Sequence, residues 1–405
     1  MPIFAFEGRN EQTGELVTGM RDAASHASLG QDLLTEGILL TRFEEKKQRL
    51  PGASIFSSLF ARVPVLERLL FARYFGLMLR AGLDIKRSLT ALSQQTRSKP
   101  LKVALEHVYQ GVDRGQSLAE SMVEYPNAFS PLFLSFVRVG ESTGKLQESL
   151  EILSEQLQKE FELRRAVRGG LMYPVVILTA LFAVGMAMMV FVVPKLIEVF
   201  EGFNVELPFT TRVLIGASGF FQHYWYLVIL IVFTVIGGSW GLLRVKSVFE
   251  IVMHSLLYVP IIGPIMVQIN LARFSRNLSS LLSSGVSFIE ALNILGTNTP
   301  HPSYAKIFAA AKEHVKQGKV LSDFLQDFPR LFPPLVTNII KVGEETGELD
   351  VVLKEVATFY EGEVDQVMKN LTSIMEPVLM VAIGLAVGAL AVSVISPIYN
   401  LVNVI

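Results

Sequence analysis

The sequence predicts an all-α membrane protein. Two direct-repeat cytoplasmic helical bundles and three transmembrane helices follow a small N-terminal α+β module. Three observations carry this. Three stretches long enough to cross a bilayer hold no charged side chain. The chain matches itself when slid by 203 residues, as when Phe71 meets Phe274. Within each copy, apolar residues recur every three or four positions, the period of a helix with one buried face. Composition agrees: of 405 residues 51% are hydrophobic and only 18% charged, with a mean hydropathy of +0.44. Soluble domains carry roughly 25% charged residues.

Residues 1–50 differ in style from the rest. "IFAFEGR", "LVTGMRDA" and "ILLTRFEEK" read as short strands, and "SHASLGQDLLTEG" as a helix between the last two, capped by Ser25 and ended by Gly37. The first residues contain no basic stretch followed by an apolar core. They read as a cytoplasmic start and not as a cleavable leader. A linker at 51–65 leads into the first bundle, 66–168. Transmembrane helix 1 follows at 169–194, then a periplasmic loop at 195–223 and transmembrane helix 2 at 224–243. The second bundle, 244–373, precedes transmembrane helix 3 at 374–397 and a periplasmic tail at 398–405. Each apolar window reaches the roughly 20 residues that span a bilayer core.

Orientation follows from the cations. Of 36 Lys and Arg, 22 precede the first window and 12 fall between Arg244 and Ser373. Only Lys195 and Arg212 lie in the short loop. The positive-inside rule then places both bundles and the N-terminus in the cytoplasm and the C-terminus in the periplasm.

The repeat holds without a gap from Gly82 on Gly285 through Gly115 on Gly318 to Pro194 on Pro397. It explains why there are three spans: two copies that each end in an outward helix need one returning helix between them. No charge lies well inside a span, which speaks against a transport pathway. The absence of cysteine removes disulfides, thiolate metal sites and thiol nucleophiles together. The net charge of −1 gives no sign of a nucleic-acid binder.

The most conspicuous repeated phrase is "VGESTGKL" at Val139–Leu146 and "VGEETGEL" at Val342–Leu349. Read as catalysis, it offers one carboxylate per copy, Glu141 and Glu344, with no aligned histidine. Read as a phosphate cradle, it is one residue short of the Walker spacing and loses its lysine in the second copy. The structural reading fits best, a helix–turn–helix corner built from Gly140, Glu141, Thr143 and Gly144, and again from Gly343, Glu344, Thr346 and Gly347. Gly140 is expected to end one helix in a left-handed conformation. Thr143 should cap the next helix, Gly144 should allow close packing, and Glu141 should sit at that next helix's positive end.

The helix after each corner has no breaker before the membrane, so it is expected to run on into the bilayer, with Gly169–Gly170 the place for a bend. Glu151 and Glu155 stand one turn apart on it, a pair that a hard cation could bridge. A solvated polar face balanced by Lys159 and Arg164 is the ordinary alternative. Gly237 with Gly241 and Gly384 with Gly388 form GxxxG spacings that let membrane helices pack closely.

Taken together, these residues resemble the GspF/PilC family of inner-membrane proteins of type II secretion and type IV pilus assembly. The resemblance rests on "FAFEGRN", "GLMLRAGLDIKRSL", "FPRLFPPLVTNIIKVGEETGELDVVL" and the span openings "LMYPVVI" and "MEPVLMV". It covers nearly the whole chain. It implies a non-enzymatic platform with about six helices per bundle and no cofactor. The implied partners are a cytoplasmic hexameric assembly ATPase, pilins or pseudopilins, other inner-membrane assembly proteins and further copies of itself. It also raises Glu151 and Glu155 slightly as cation ligands. The compact N-terminal module and the chain length lean toward a pilus system, of the MSHA type. A stand-alone membrane enzyme or signalling protein on the same scaffold is the alternative.

Overall fold

The computed structural model describes residues 3–10, 16–22, 30, 33–34, 37–46, 63–195, 209–242 and 245–402. Strands β1 (Ile3–Asn10), β2 (Leu16–Asp22) and β3 (Ile38–Lys46) form an antiparallel sheet in the order β2-β1-β3. Ile3 pairs with Asp22 on one side and Lys46 on the other, and the β1–β3 register shifts between Glu7 and Gly8. Leu33 and Leu34 are helical and Gly37 has φ +73°, while Ser25 and most of the expected helix lie outside the described residues. So does nearly all of the expected linker.

The first bundle consists of α1 (Val65–Arg80), α2 (Ile85–Gln95), α3 (Lys99–Asp113), α4 (Leu118–Val123), α5 (Pro131–Ser142) and the start of α6 (Leu146–Ala187). After α7 (Phe209–Leu242) and α8 (Lys246–Leu256), the order repeats. It runs α9 (Ile262–Ser283), α10 (Phe288–Asn298), α11 (Pro302–Lys316), α12 (Leu321–Gln326), α13 (Pro334–Thr346) and α14 (Leu349–Val402). From the second helix of each bundle onward, every helix starts 203 residues after its counterpart. The signals that start them recur too. Ser130 caps α5 through the Phe133 N–H, and proline opens both α5 and α13, where its missing N–H costs nothing.

One buried apolar cluster runs through both bundles. Phe71 and Phe129 pack together in the first, and Phe274 and Phe332 do so at the matching positions in the second. Elsewhere the copies trade volume. Phe133, Leu105 and Leu101 in the first correspond to Val336, Phe308 and Tyr304 in the second, all buried. Such compensation keeps packing dense while side chains change. Buried Tyr304 donates its hydroxyl proton to the Leu331 carbonyl at 3.1 Å, so its polar end is satisfied.

Helix α6 runs as α-helix straight through Gly169 and Gly170, continues through a π-helical turn at Met188–Val192 and reaches Lys195. Helix α14 is continuous for 54 residues. Among the described residues two helices are thus long and apolar enough to cross a membrane, Leu146–Lys195 and Leu349–Leu385. The part of the expected loop from Phe209 to His223 is helical, and a non-helical Tyr224 (φ −125°, ψ 20°) separates it from the apolar stretch beyond. Within the π-turn the Met189 carbonyl accepts from the Ser218 hydroxyl at 2.8 Å.

Candidate functional site

The repeated phrase builds the same corner twice. Both oxygens of Glu141 accept backbone N–H groups at the start of α4, from Leu118 at 2.7 Å and Ala119 at 3.0 Å. Glu344 does the same at α12, from Leu321 at 2.6 Å and Ser322 at 2.9 Å. These N–H groups have no partner inside their own helix, and a carboxylate satisfies them with charge-assisted bonds. The glutamate therefore caps the short helix before the corner, not the long one after it. Each carboxylate oxygen is thus committed to a backbone N–H in a structural capping role.

The glycines exchange their expected roles. Gly144 (φ +71°) and Gly347 (φ +75°) take the left-handed conformation. Gly140 sits inside α5, where an added Cβ would lie 2.7 Å from Ser149 Cβ and 2.8 Å from Leu146 Cα. At Gly343 it would lie 3.0 Å from Leu349 Cα and closer still to Val352 Cγ2. Close approach is thus the task of the first glycine and the turn that of the second. Thr143 does not cap α6: its hydroxyl donates back to the Val139 carbonyl at 2.7 Å, as Thr346 does to Val342 at 2.9 Å.

A polar seam joins the bundles. Gln156 on α6 is buried; its amide donates to Asn277 and its oxygen accepts from the Ser280 hydroxyl at 2.9 Å. Glu160 bridges Arg164, at 2.6 Å, to Arg273 of the second bundle, at 3.4 Å. Nearer its apolar half α6 crosses α14 at Gly170, where a Cβ would lie 2.8 Å from Met368 Cβ and 3.1 Å from its carbonyl oxygen. The expected bend is therefore a crossing point. Gly237, Gly241, Gly384 and Gly388 have open space where a Cβ would go, so the close helix approach expected there does not occur within the described residues.

Glu151 is engaged by Arg80 and by Gln147, and Glu155 shares a small cavity with Arg276 and Lys354. These cationic neighbours compete with any metal. Among the described residues no three His, Asp or Glu side chains gather in a group that could hold one. Arg276 itself makes a paired contact to both oxygens of Glu361 at 2.8 Å, plus 3.2 Å to the Thr358 hydroxyl.

A family model described as Type II secretion system (T2SS), protein F matches residues 71–194 and again 274–397. The chain belongs to the type II secretion system protein F family. The two matched segments are the two copies of the repeat, each extending from its first bundle helix into its long apolar helix. Similarity to individual members is spread over the length. A type IV pilus assembly protein PilC from Thermus thermophilus is 31% identical over 412 residues, covering 100% of this chain and 99% of that one. PilC of Pseudomonas aeruginosa is 30% identical, over 89% of this chain and 96% of its own. Type II secretion system protein F of Aeromonas hydrophila is 30% identical, over 95% and 100%. Membership of the protein F family places the chain among components of secretion and pilus-assembly machinery and not among enzymes.

The seam between bundles and the Gly170 crossing went unread in the sequence. A signal for the seam exists: Gln156, Asn277 and Ser280 are polar where their repeat counterparts Phe359, Tyr74 and Leu77 are apolar. Positions at which two copies of a scaffold disagree in polarity mark where their surroundings differ.

Proposed function

We propose that this chain is a non-enzymatic platform of a type IV pilus or type II secretion machine in the bacterial inner membrane. It receives the motion of a cytoplasmic hexameric ATPase on its bundles and passes it to pilin or pseudopilin subunits in the bilayer. One observation carries the reading. Each bundle's last core helix is also its apolar helix, unbroken for 50 residues in α6 with its π-turn and for 54 in α14. At about 1.5 Å per residue, each is a rod of roughly 75–80 Å that begins inside a soluble bundle. A displacement of the bundle moves the membrane segment with it.

In this reading α7 supplies the returning third span, the bundles and N-terminal module are cytoplasmic, and the C-terminus is periplasmic. The bare glycines Gly237, Gly241, Gly384 and Gly388 then offer close-packing surfaces to membrane partners, including other copies. The names of the relatives, pilus assembly proteins and secretion proteins, support the machine without naming the contacts. A tagged chain drawn from gently solubilised native membranes should bring down a secretion-type ATPase with pilins or pseudopilins. Their absence, in detergent that a control shows to preserve the complex, would favour a stand-alone membrane enzyme or signalling protein.

A further inference from the structure

A surface covered in one bundle and bare in its twin marks where the twin lacks a neighbour. The first bundle lays α6 against α9 of the second and α5 against α10. There Leu132 and Gln156 are 7% and 3% exposed. Their repeat counterparts in the second bundle, Leu335 on α13 and Phe359 on α14, are 58% and 53% exposed. The opposite half of the joint shows the same imbalance. Asn277 and Ser280 of α9 contact Gln156. Their counterparts on α1, Tyr74 and Leu77, are 43% and 55% exposed. Leu66, Leu70, Tyr74 and Leu77 form one stripe along α1 at helical spacing.

The chemistry has changed on both halves together. Inside the chain the joint pairs a glutamine with an asparagine and a serine. The two bare halves carry a phenylalanine on one side and a tyrosine and a leucine on the other. Beside Tyr74 a groove opens that is lined by Leu70, Phe71, Leu92 and Leu105 together with the charged Glu67 and Arg97. Charge agrees as well. Residues 51–168 hold sixteen basic against twelve acidic side chains, and residues 245–373 hold eleven against thirteen. Exposed Arg73 flanks the α1 stripe and exposed Glu355 flanks Phe359.

We propose that the bare α13–α14 face of one chain seats on the α1 stripe of a second copy, repeating between chains the joint that holds the two bundles together within one. A second copy is the partner that presents both halves of this joint in the register the chain already uses. Such a contact is head-to-tail: each copy offers one face and receives on the other, so chains add in a ring or a row. The inference rests on the platform reading only for its setting, a membrane where several copies meet.

The chain has no cysteine, so introduced pairs report without background. Differently tagged full-length chains, one carrying Phe359→Cys and the other Tyr74→Cys, are co-expressed and oxidised in native membranes. A disulfide joining the two tags is expected, with neither variant linking to itself. Both substitutions in one chain should give a ladder of multimers. Gln156→Cys with Asn277→Cys, closing within one chain, confirms the fold and the oxidation. With that control closed, three results would each overturn the proposal: no mixed product, self-linking of either single variant as in a two-fold dimer, or linkage of Phe359→Cys to a different protein. Leu77→Cys replaces Tyr74→Cys if the latter chain fails to accumulate. Recovery of the ATPase from the same membranes is scored separately, so either reading can fail while the other stands.

Discussion

At the scale of single residues, the repeat supplies its own controls. Glu141 and Glu344 make the same two bonds, but their helices start differently. Ser117 caps α4 in a full capping box with Glu120, whereas Val320, at the start of α12, offers no side-chain cap. Glu344 is thus the sole side-chain cap there among the described contacts. Glu344→Ala should cost about 2–3 kcal/mol, at the upper end for charge-assisted bonds to buried groups, and Glu141→Ala about 1 kcal/mol less. Thermal melts of the two full-length variants in detergent give the order, and equal losses would refute it. His301 gives a second prediction. It takes the cap position that Ser98 holds in the first bundle, accepting the Ser303 N–H on Nδ1, and burial holds its folded pKa below the ordinary 6.5. Between the folded value and 6.5 the unfolded chain carries a proton that the folded chain refuses. The stability is therefore whole above about pH 6.5 and drains away as pH falls. Protection of the α11 amides against hydrogen exchange, corrected for the intrinsic rate at each pH, should fall from pH 7 to pH 5. His301→Ser should remove that fall; an unchanged fall would assign it elsewhere. The sequence showed that two glycines and a glutamate were needed in the phrase. It could not show which glycine turned the chain, because a left-handed φ and a close neighbour ask for the same residue.

At the scale of elements, the bundle helices were readable because their starts are marked by Ser, Asp and Pro and their apolar faces recur at the helical period. The three strands were readable as short stretches rich in Ile, Leu, Val, Phe and Thr in a region without the helical period of the bundles. Helix–helix contacts were harder, since a small residue in an apolar stretch announces no partner. The GxxxG pairs looked like crossing points and have open space, while Gly170, next to an equally plausible Gly169, receives Met368. This adjacency makes a clean comparison. Gly170→Leu must push α14 away from α6, overpacking that typically costs about 1–3 kcal/mol, against which about 1 kcal/mol of helix propensity is regained. A Cβ at Gly169 meets nothing within 4 Å, so Gly169→Leu starts into open space and keeps the propensity gain. The Gly170 variant should melt lower than wild type and the Gly169 variant no lower. If both shift alike, the crossing does not contribute to stability.

At the scale of the whole molecule, duplication explains the odd number of apolar segments, the shared core and the asymmetry of surface between the copies. It leaves one mechanical question, whether the long helices work because they are unbroken. Met368 is the last residue of α14 in the buried bundle core, Leu371 packs at its edge, and the uncharged stretch begins at Pro377. A short Gly-Ser insertion after Ser373 falls between Leu371 and Pro377. It leaves the bundle core, the Gly170 crossing and every charged side chain untouched, while a flexible joint replaces the rod. The bundle should then melt as before and the ATPase should still be recovered, yet secretion or pilus extension should be lost. An alanine-rich insertion of seven residues, about two helical turns, keeps the rod and nearly its facing, so it should restore a substantial part of the output. Full output from the flexible variant would mean that the bundles and the membrane segments act without transmitting force along α14. The platform would then organise its partners by holding them in place, not by moving them.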